Sequence, residues 1–135
     1  MAQIPDSFLD LVQQKKAFAN LAAVLSDGTP QVTPVWFDYS GGAIRFNTAK
    51  GRVKARVLKQ GSPVALAILD PENPYRYIQI RGRISRVDDN PSVADPHINA
   101  LAKKYLGKDT YPFRQPGEER VMYELQPTSV QTMAG

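Results

Sequence analysis

Six strand-length segments, most of them joined by tight turn signals, constrain this chain more than any other feature of its sequence. Phe18 to Leu25 is an apolar run, and Ser26-Asp27-Gly28-Thr29-Pro30 turns it into Gln31 to Asp38, so these two segments form a hairpin. Pro34 stands in the middle of the second strand. Proline has no N–H for a ladder, which puts this stretch at a sheet edge or a bulge. Ser40-Gly41-Gly42 leads into a strand in which Ile44, Phe46 and Thr48 alternate with Arg45 and Asn47. Val64 to Leu69 is continuously apolar, the mark of a strand covered on both sides. After the loop at 70–74, Ile78, Ile80 and Ile84 face one way and Tyr75, Tyr77, Gln79, Arg81 and Arg83 the other. Arg120 to Leu125 is the last strand, with a loose polar end expected from Gln126. Three helical patterns intervene: one capped by Asp6 or Ser7 and ending near Lys16, one over 52–59, and one from Asp95 to Gly107. The expected architecture is a single mainly β domain over 1–135, a small barrel with short helices packed outside.

The turn at 49–52 carries the first chemical signal. Lys50, Arg52 and Lys54 crowd the start of a helix, where the backbone dipole disfavours cations by a few tenths of a kcal/mol each. An anion would resolve that conflict, with Asn47 and Thr48 as neutral hydrogen-bonding neighbours and Gly51 breaking the strand. A solvated basic helix face is the other reading. Trp36, the only tryptophan, shares a strand face with Pro34, so this strip either supports a flat ring or belongs to the core. The tyrosine and arginine face of the long strand is either solvated or an interface.

Composition excludes several chemistries. The chain has no cysteine, hence no disulfide, thiol catalysis or cysteine-held metal, and its one histidine excludes a multi-histidine zinc site within one chain. No run approaches the roughly 20 apolar residues of a membrane helix, and Met1 to Lys16 lacks the pattern of a signal peptide, so a cytoplasmic protein is expected. A formal net charge of +4 suits an anionic partner, but the aromatic and basic residues match no RNA-binding signature, and no nucleic-acid partner is expected. His97 has no evident partner and reads as a surface residue without a catalytic role. The loop at 108–119 is long for a connector and suits a lid or rim, with Tyr111, Phe113 and Arg114 as its contact residues.

Taken together, Asp27-Gly28-Thr29-Pro30-Gln31-Val32, Pro34-Val35-Trp36-Phe37, Thr48-x-x-Gly51-Arg52-x-Lys54-x-Arg56 and Tyr75-Arg76-Tyr77 through Arg81-Gly82 resemble the split-barrel flavin and deazaflavin proteins related to pyridoxamine-phosphate oxidase. Lys103-Lys104-Tyr105-Leu106-Gly107 and Tyr111-Pro112 through Pro116-Gly117-Glu118 resemble the branch that uses the deazaflavin coenzyme F420. The resemblance spans nearly the whole chain and implies a six-stranded split β-barrel that pairs as a homodimer, with cofactor sites at the interface. It implies that Arg52 and Lys54 hold the cofactor phosphate with Asn47, Thr48, Lys50 and Gly51 beside them. Pro34, Val35 and Trp36 would line the flat ring, and Tyr77 and Arg81 would reach in from the second subunit. Pyridoxamine-phosphate oxidases carry further basic residues for the substrate phosphate that this chain lacks, so vitamin B6 oxidation is not expected.

The function this implies is an F420-dependent reductase passing hydride to an unsaturated small organic substrate. An FMN-binding oxidoreductase and a non-catalytic cofactor-binding protein are the alternatives. Redox chemistry of this kind belongs to the cofactor, so the absence of any evident catalytic triad is consistent with it.

Overall fold

The computed structural model describes residues 2–135, and among them one antiparallel sheet dominates. A 3-10 turn at Asp6–Phe8 runs into α1 (Leu9–Gln13), followed by β1 (Ala19–Val24), β2 (Pro30–Val35), β3 (Phe37–Ser40) and β4 (Ala43–Ala49). Next come α2 (Val53–Val57), β5 (Pro63–Asp70), β6 (Asn73–Asp88), α3 (Pro91–Leu106) and β7 (Arg120–Ala134). The strand order is β2-β1-β5-β6-β7-β4-β3. The sheet curls into a half-barrel, the split-barrel fold.

The expected hairpin is present, with Ala19 opposite Val35 and Val24 opposite Pro30, and Pro34 lies on an edge strand. The expected single strand from Gln31 to Asp38 is in fact two. Trp36 breaks it, because β2 pairs with β1 whereas β3 pairs with β4, at the opposite end of the sheet. Among the described residues there are therefore seven strands rather than six. Alternation then sorts the side chains. Leu21, Leu66, Ile68, Ile78, Ile80 and Ile84 fill the interior, where Phe46 and Tyr123 stack 5.1 Å apart. Burying each such aliphatic side chain stabilises the fold by about 1.5–3 kcal/mol. β5 does not have two covered faces as its apolar run implied. In the single chain its outward residues Ala65 and Ala67 are half-buried and Leu69 is exposed.

Two inner strands of the sheet are longer than their patterns suggested. β6 and β7 pair from Arg76↔Ala134 to Asp88↔Met122, so the polar end from Gln126 is a strand rather than a loose tail. The register shifts at Gly82, opposite Pro127. A Cβ on Gly82 would stand 2.2 Å from the Gln126 carbonyl oxygen, so the two backbones approach as closely as they do only because that position has no side chain.

The helices depart from expectation at their starts. Neither Asp6 nor Ser7 caps α1, which ends at Gln13 rather than near Lys16. It is attached by the fully buried Leu11 and Val12 and by ion pairs. Arg76 joins Asp10 (2.7 Å) to Asp70 (2.8 Å), and Lys15 adds bonds to Asp70 and Glu72. α2 is only five residues long, capped by the extended Arg52 and ended by the extended Leu58. α3 begins at Pro91 and not near Asp95, because the Asn90 side chain accepts a bond from the Ser92 N–H and Pro91 occupies the first helical position. Pro96 is tolerated inside, and Gly107 ends the helix in the left-handed conformation with φ 73°.

Two outcomes follow from this architecture. Gly82→Ala forces the β6–β7 crossing apart and should cost about 1–3 kcal/mol, read as a lower urea midpoint. Asp70 should support acid resistance. The Glu72 backbone N–H and then the Arg76 guanidinium hold its carboxyl down at about 2. A depressed carboxylate contributes stability that is complete above its unfolded value of about 3.9 and is lost as the pH falls towards the folded one. The gap in urea midpoint between wild type and Asp70→Asn should therefore be widest near neutrality and close as the pH drops from about 4 to about 2. A gap that stays constant with pH would exclude this role.

Candidate functional site

The half-barrel's two edges meet around Trp36, and a recess of about 220 Å³ opens there. Its apolar wall is the end of β2, Pro34 and Val35, with Trp36 beyond. The indole stacks on Tyr105 of α3 with ring centres 5.2 Å apart and planes 5° from parallel, while Tyr111 meets it edge-on at 6.0 Å. Trp36 is thus half-buried, neither a core residue nor a free one. Ile98 and Leu101 of α3 complete this side, and Tyr111 and Phe113 of the 107–119 loop form a rim.

The opposite wall is polar. Asn47 and the buried Thr48 come from the end of β4, Arg52 and Lys54 from the turn and α2, and Arg120 from the first position of β7, paired with Ala49. No carboxylate lines the recess. Lys54 is half-buried and has no hydrogen bond or ion pair among the described residues. Burial, and secondarily the neighbouring Arg52, pushes its ammonium below the ordinary lysine range. Arg120 is only 4% exposed. Its Nε donates to Asn47 Oδ1 at 2.9 Å and its guanidinium lies 5.0 Å from the centre of the Tyr111 ring. Its Nη1 stands 3.2 Å from Glu118 Oε2, yet neither atom has a partner in hydrogen-bonding geometry. Burial lowers the affinity of Arg120 for its proton, partly countered by Glu118. The Glu118 carboxylate also lies 3.7 Å from Arg52, so one acid faces two cations while Lys54 stands without one.

Of the residues singled out in the sequence, Pro34, Val35, Trp36, Asn47, Thr48, Arg52 and Lys54 share this recess. Lys50 and Gly51 do not. They turn away towards Asp89 and Val87, where Lys50 pairs with Asp89 at 3.0 Å and lies 3.7 Å from Glu119. Tyr77 and Arg81 point outward from β6, Arg81 bonding Ser129 and lining a separate hollow of about 360 Å³ with Ala22, Val24 and Ala65. With α2 reduced to little more than a turn, the basic character of the recess rests on side chains rather than on a helix dipole. Arg114, expected at the rim, bonds the Glu118 carbonyl and Asp95 instead.

His97 is the main correction. It is buried at 5% exposure and bonded on both ring nitrogens, to Asp38 and to Asn47. His97 lies on the buried stripe of α3 with Ala94, Ile98 and Leu101. Its partners are 59 and 50 residues away in sequence, so no local pattern announces them. Arg120 was missed for a related reason, since an arginine at a strand start reads as surface.

Comparison with known proteins places this geometry in context. A family model for pyridoxamine 5'-phosphate oxidase matches residues 4–134. A solved structure described as an F420 reductase is 31% identical, covers 95% of this chain and 98% of its own, and superposes with a TM-score of 0.80. A putative pyridoxamine 5'-phosphate oxidase from Listeria innocua is 17% identical over 96% of this chain and 98% of its own, with a TM-score of 0.71. A general stress FMN/FAD binding protein from Xanthomonas citri is 22% identical over 95% and 86%, with a TM-score of 0.65. At those last two identities the likeness is one of fold. No curated protein matches the chain.

Proposed function

The chain belongs to the pyridoxamine 5'-phosphate oxidase family, and from that premise we propose that it is an oxidoreductase using a flavin-type cofactor, the deazaflavin coenzyme F420, to reduce an unsaturated small organic molecule. The observation that carries this reading is the convergence of Arg52, Lys54 and Arg120 on one recess whose other wall is Pro34, Val35 and Trp36. The donor set fits a cofactor with a phosphate and a flat ring. An anion would supply the unpaired Lys54 and the orphaned Arg120 Nη1 with the partner each lacks, and charge-assisted hydrogen bonds of this kind are the strong ones.

In this assignment Arg52 and Lys54 hold the phosphate, with Thr48 donating a neutral hydrogen bond and Asn47 standing beside it to orient Arg120. Pro34 has no N–H, so the end of β2 offers a surface on which a ring can lie flat. When bound, the deazaflavin supplies hydride. The protein's part is to orient the ring and to exclude water, the work of Trp36, Tyr111 and Phe113. Lys50 and Gly51 shape the turn from outside the recess. No side chain is assigned a catalytic proton transfer, and no metal is assigned.

Removing Arg52 or Lys54 as alanine should each cost about 1.5–3 kcal/mol of cofactor binding, roughly ten- to a hundred-fold in affinity. Fluorescence titration with coenzyme F420 and with FMN checks both the clamp and the choice of cofactor. F420 carries an acidic tail beyond its phosphate, so its affinity should fall with added salt and exceed that of FMN at low salt. FMN binding tighter at every salt concentration would replace F420 by FMN, and unchanged affinity in both alanine variants would refute the clamp.

A homodimer completes the reading. The outward face of β1, β2, β5, β6 and β7 exposes Val24, Val32, Leu69 and Met133 around the half-buried Ala22, Ala65 and Tyr77. Pro34 belongs to this same face through its pairing with Asn20, so the recess opens beside it and Tyr77 and Arg81 can reach a partner's recess. A stable dimer needs on the order of 1,200 Å² buried. Light scattering should report twice the 15.0 kDa of one chain, and Val32→Asp should shift it towards one.

A further inference from the structure

We propose that His97 is a positioning residue for the recess: it holds the Asn47 amide in the orientation that fixes Arg120 and presents its guanidinium to the ligand. The inference rests on the cofactor reading above but concerns a residue that touches no ligand.

The chain of bonds is fixed from both ends. Asp38 accepts from Arg45 Nε at 2.8 Å and Nη2 at 2.7 Å, and its Oδ1 lies 3.3 Å from His97 Nε2. An ionised carboxylate only accepts, so Nε2 is the nitrogen that carries hydrogen. Burial raises the Asp38 pKa, but the His97 and Arg45 bonds more than offset it and leave the carboxyl below the usual range. At the other end, Arg120 Nε can only donate, which sets the Asn47 oxygen towards it at 2.9 Å. The Ala94 carbonyl can only accept, which sets the Asn47 nitrogen towards it at 3.0 Å. The second N–H of that nitrogen then meets His97 Nδ1 at 3.1 Å, and Nδ1 is left as an acceptor.

Every polar position in this relay is therefore determined, and His97 is its middle link. Without the Nδ1 acceptor one Asn47 N–H is orphaned in a half-buried place, and rotation of the amide to relieve it breaks the bond to Arg120 Nε. Arg120 would keep only the ungeometric contact with Glu118 and the Tyr111 ring.

The distinction is testable because asparagine and glutamine each copy one ring nitrogen. At position 97, asparagine can return an oxygen acceptor near Nδ1, whereas glutamine can return an N–H near Nε2. Affinities for coenzyme F420 and FMN, measured by fluorescence titration beside melting temperatures, should fall about tenfold in His97→Gln and stay within about threefold of wild type in His97→Asn. Asn47→Ala, which leaves the His97–Asp38 bond intact, should reproduce the loss, and adding His97→Gln to it should cost nothing further. Equal losses in both histidine variants would overturn the proposal, as would a full His97→Gln penalty on the Asn47→Ala background. Wild-type affinity in Asn47→Ala overturns it however the histidine variants fold. A wild-type protein that binds neither cofactor refutes the cofactor reading itself, whereas tight binding indifferent to His97 refutes only this inference.

Discussion

One residue, Trp36, separates two strands that lie at opposite edges of a seven-stranded sheet. Two peptide units span at most about 7 Å, so the sheet must curl until β2 and β3 stand within that reach. The recess, the aromatic stack and the relay beneath it all sit where this closure occurs. A flat sheet with the same pairings cannot exist for this connectivity, and a sheet with a longer link would have no reason to bring Pro34 beside Asn47. The indole is held by Tyr105, whose hydroxyl in turn bonds the Ala17 carbonyl, so α3 ties the link to the strand that starts the sheet.

Electrostatics follow from the same closure. β4 ends, β7 begins and α2 turns within one small volume, which brings the distant Arg120 beside Arg52 and Lys54. Their mutual repulsion and desolvation oppose folding, and Glu118 meets only part of that cost. A site that is under-neutralised by its own protein is prepared for an anionic occupant. The loop that supplies Glu118 also supplies Tyr111 and Phe113, so charge balance and water exclusion are set by one segment.

Much of this was legible in the residues. Alternation assigned the interior of β4 and β6, turn signals placed the hairpin, and Pro34 announced an edge. What failed was whatever depended on distant partners. The pattern of Gln31–Asp38 runs unbroken through Trp36, because each half is a good strand and only their different neighbours divide them. The polar end of β7 has no strand pattern of its own, and the unpaired backbone of the long β6 recruits it. The helix starts at Asn90-Pro91 rather than Asp95-Pro96, and His97 reads as a surface residue because its partners Asp38 and Asn47 lie 59 and 50 residues away.

Pro30 and Pro34 give the edge strand β2 a further property. A free sheet edge offers its backbone groups to any passing strand, and a concentrated protein with such an edge tends to assemble through it. Two of the six residues of β2 have no N–H to offer, and the opposite edge, β3, is only four residues long. The open side of the half-barrel is thus poorly suited to admitting another chain's backbone. The protein can keep its barrel open without becoming a template for aggregation.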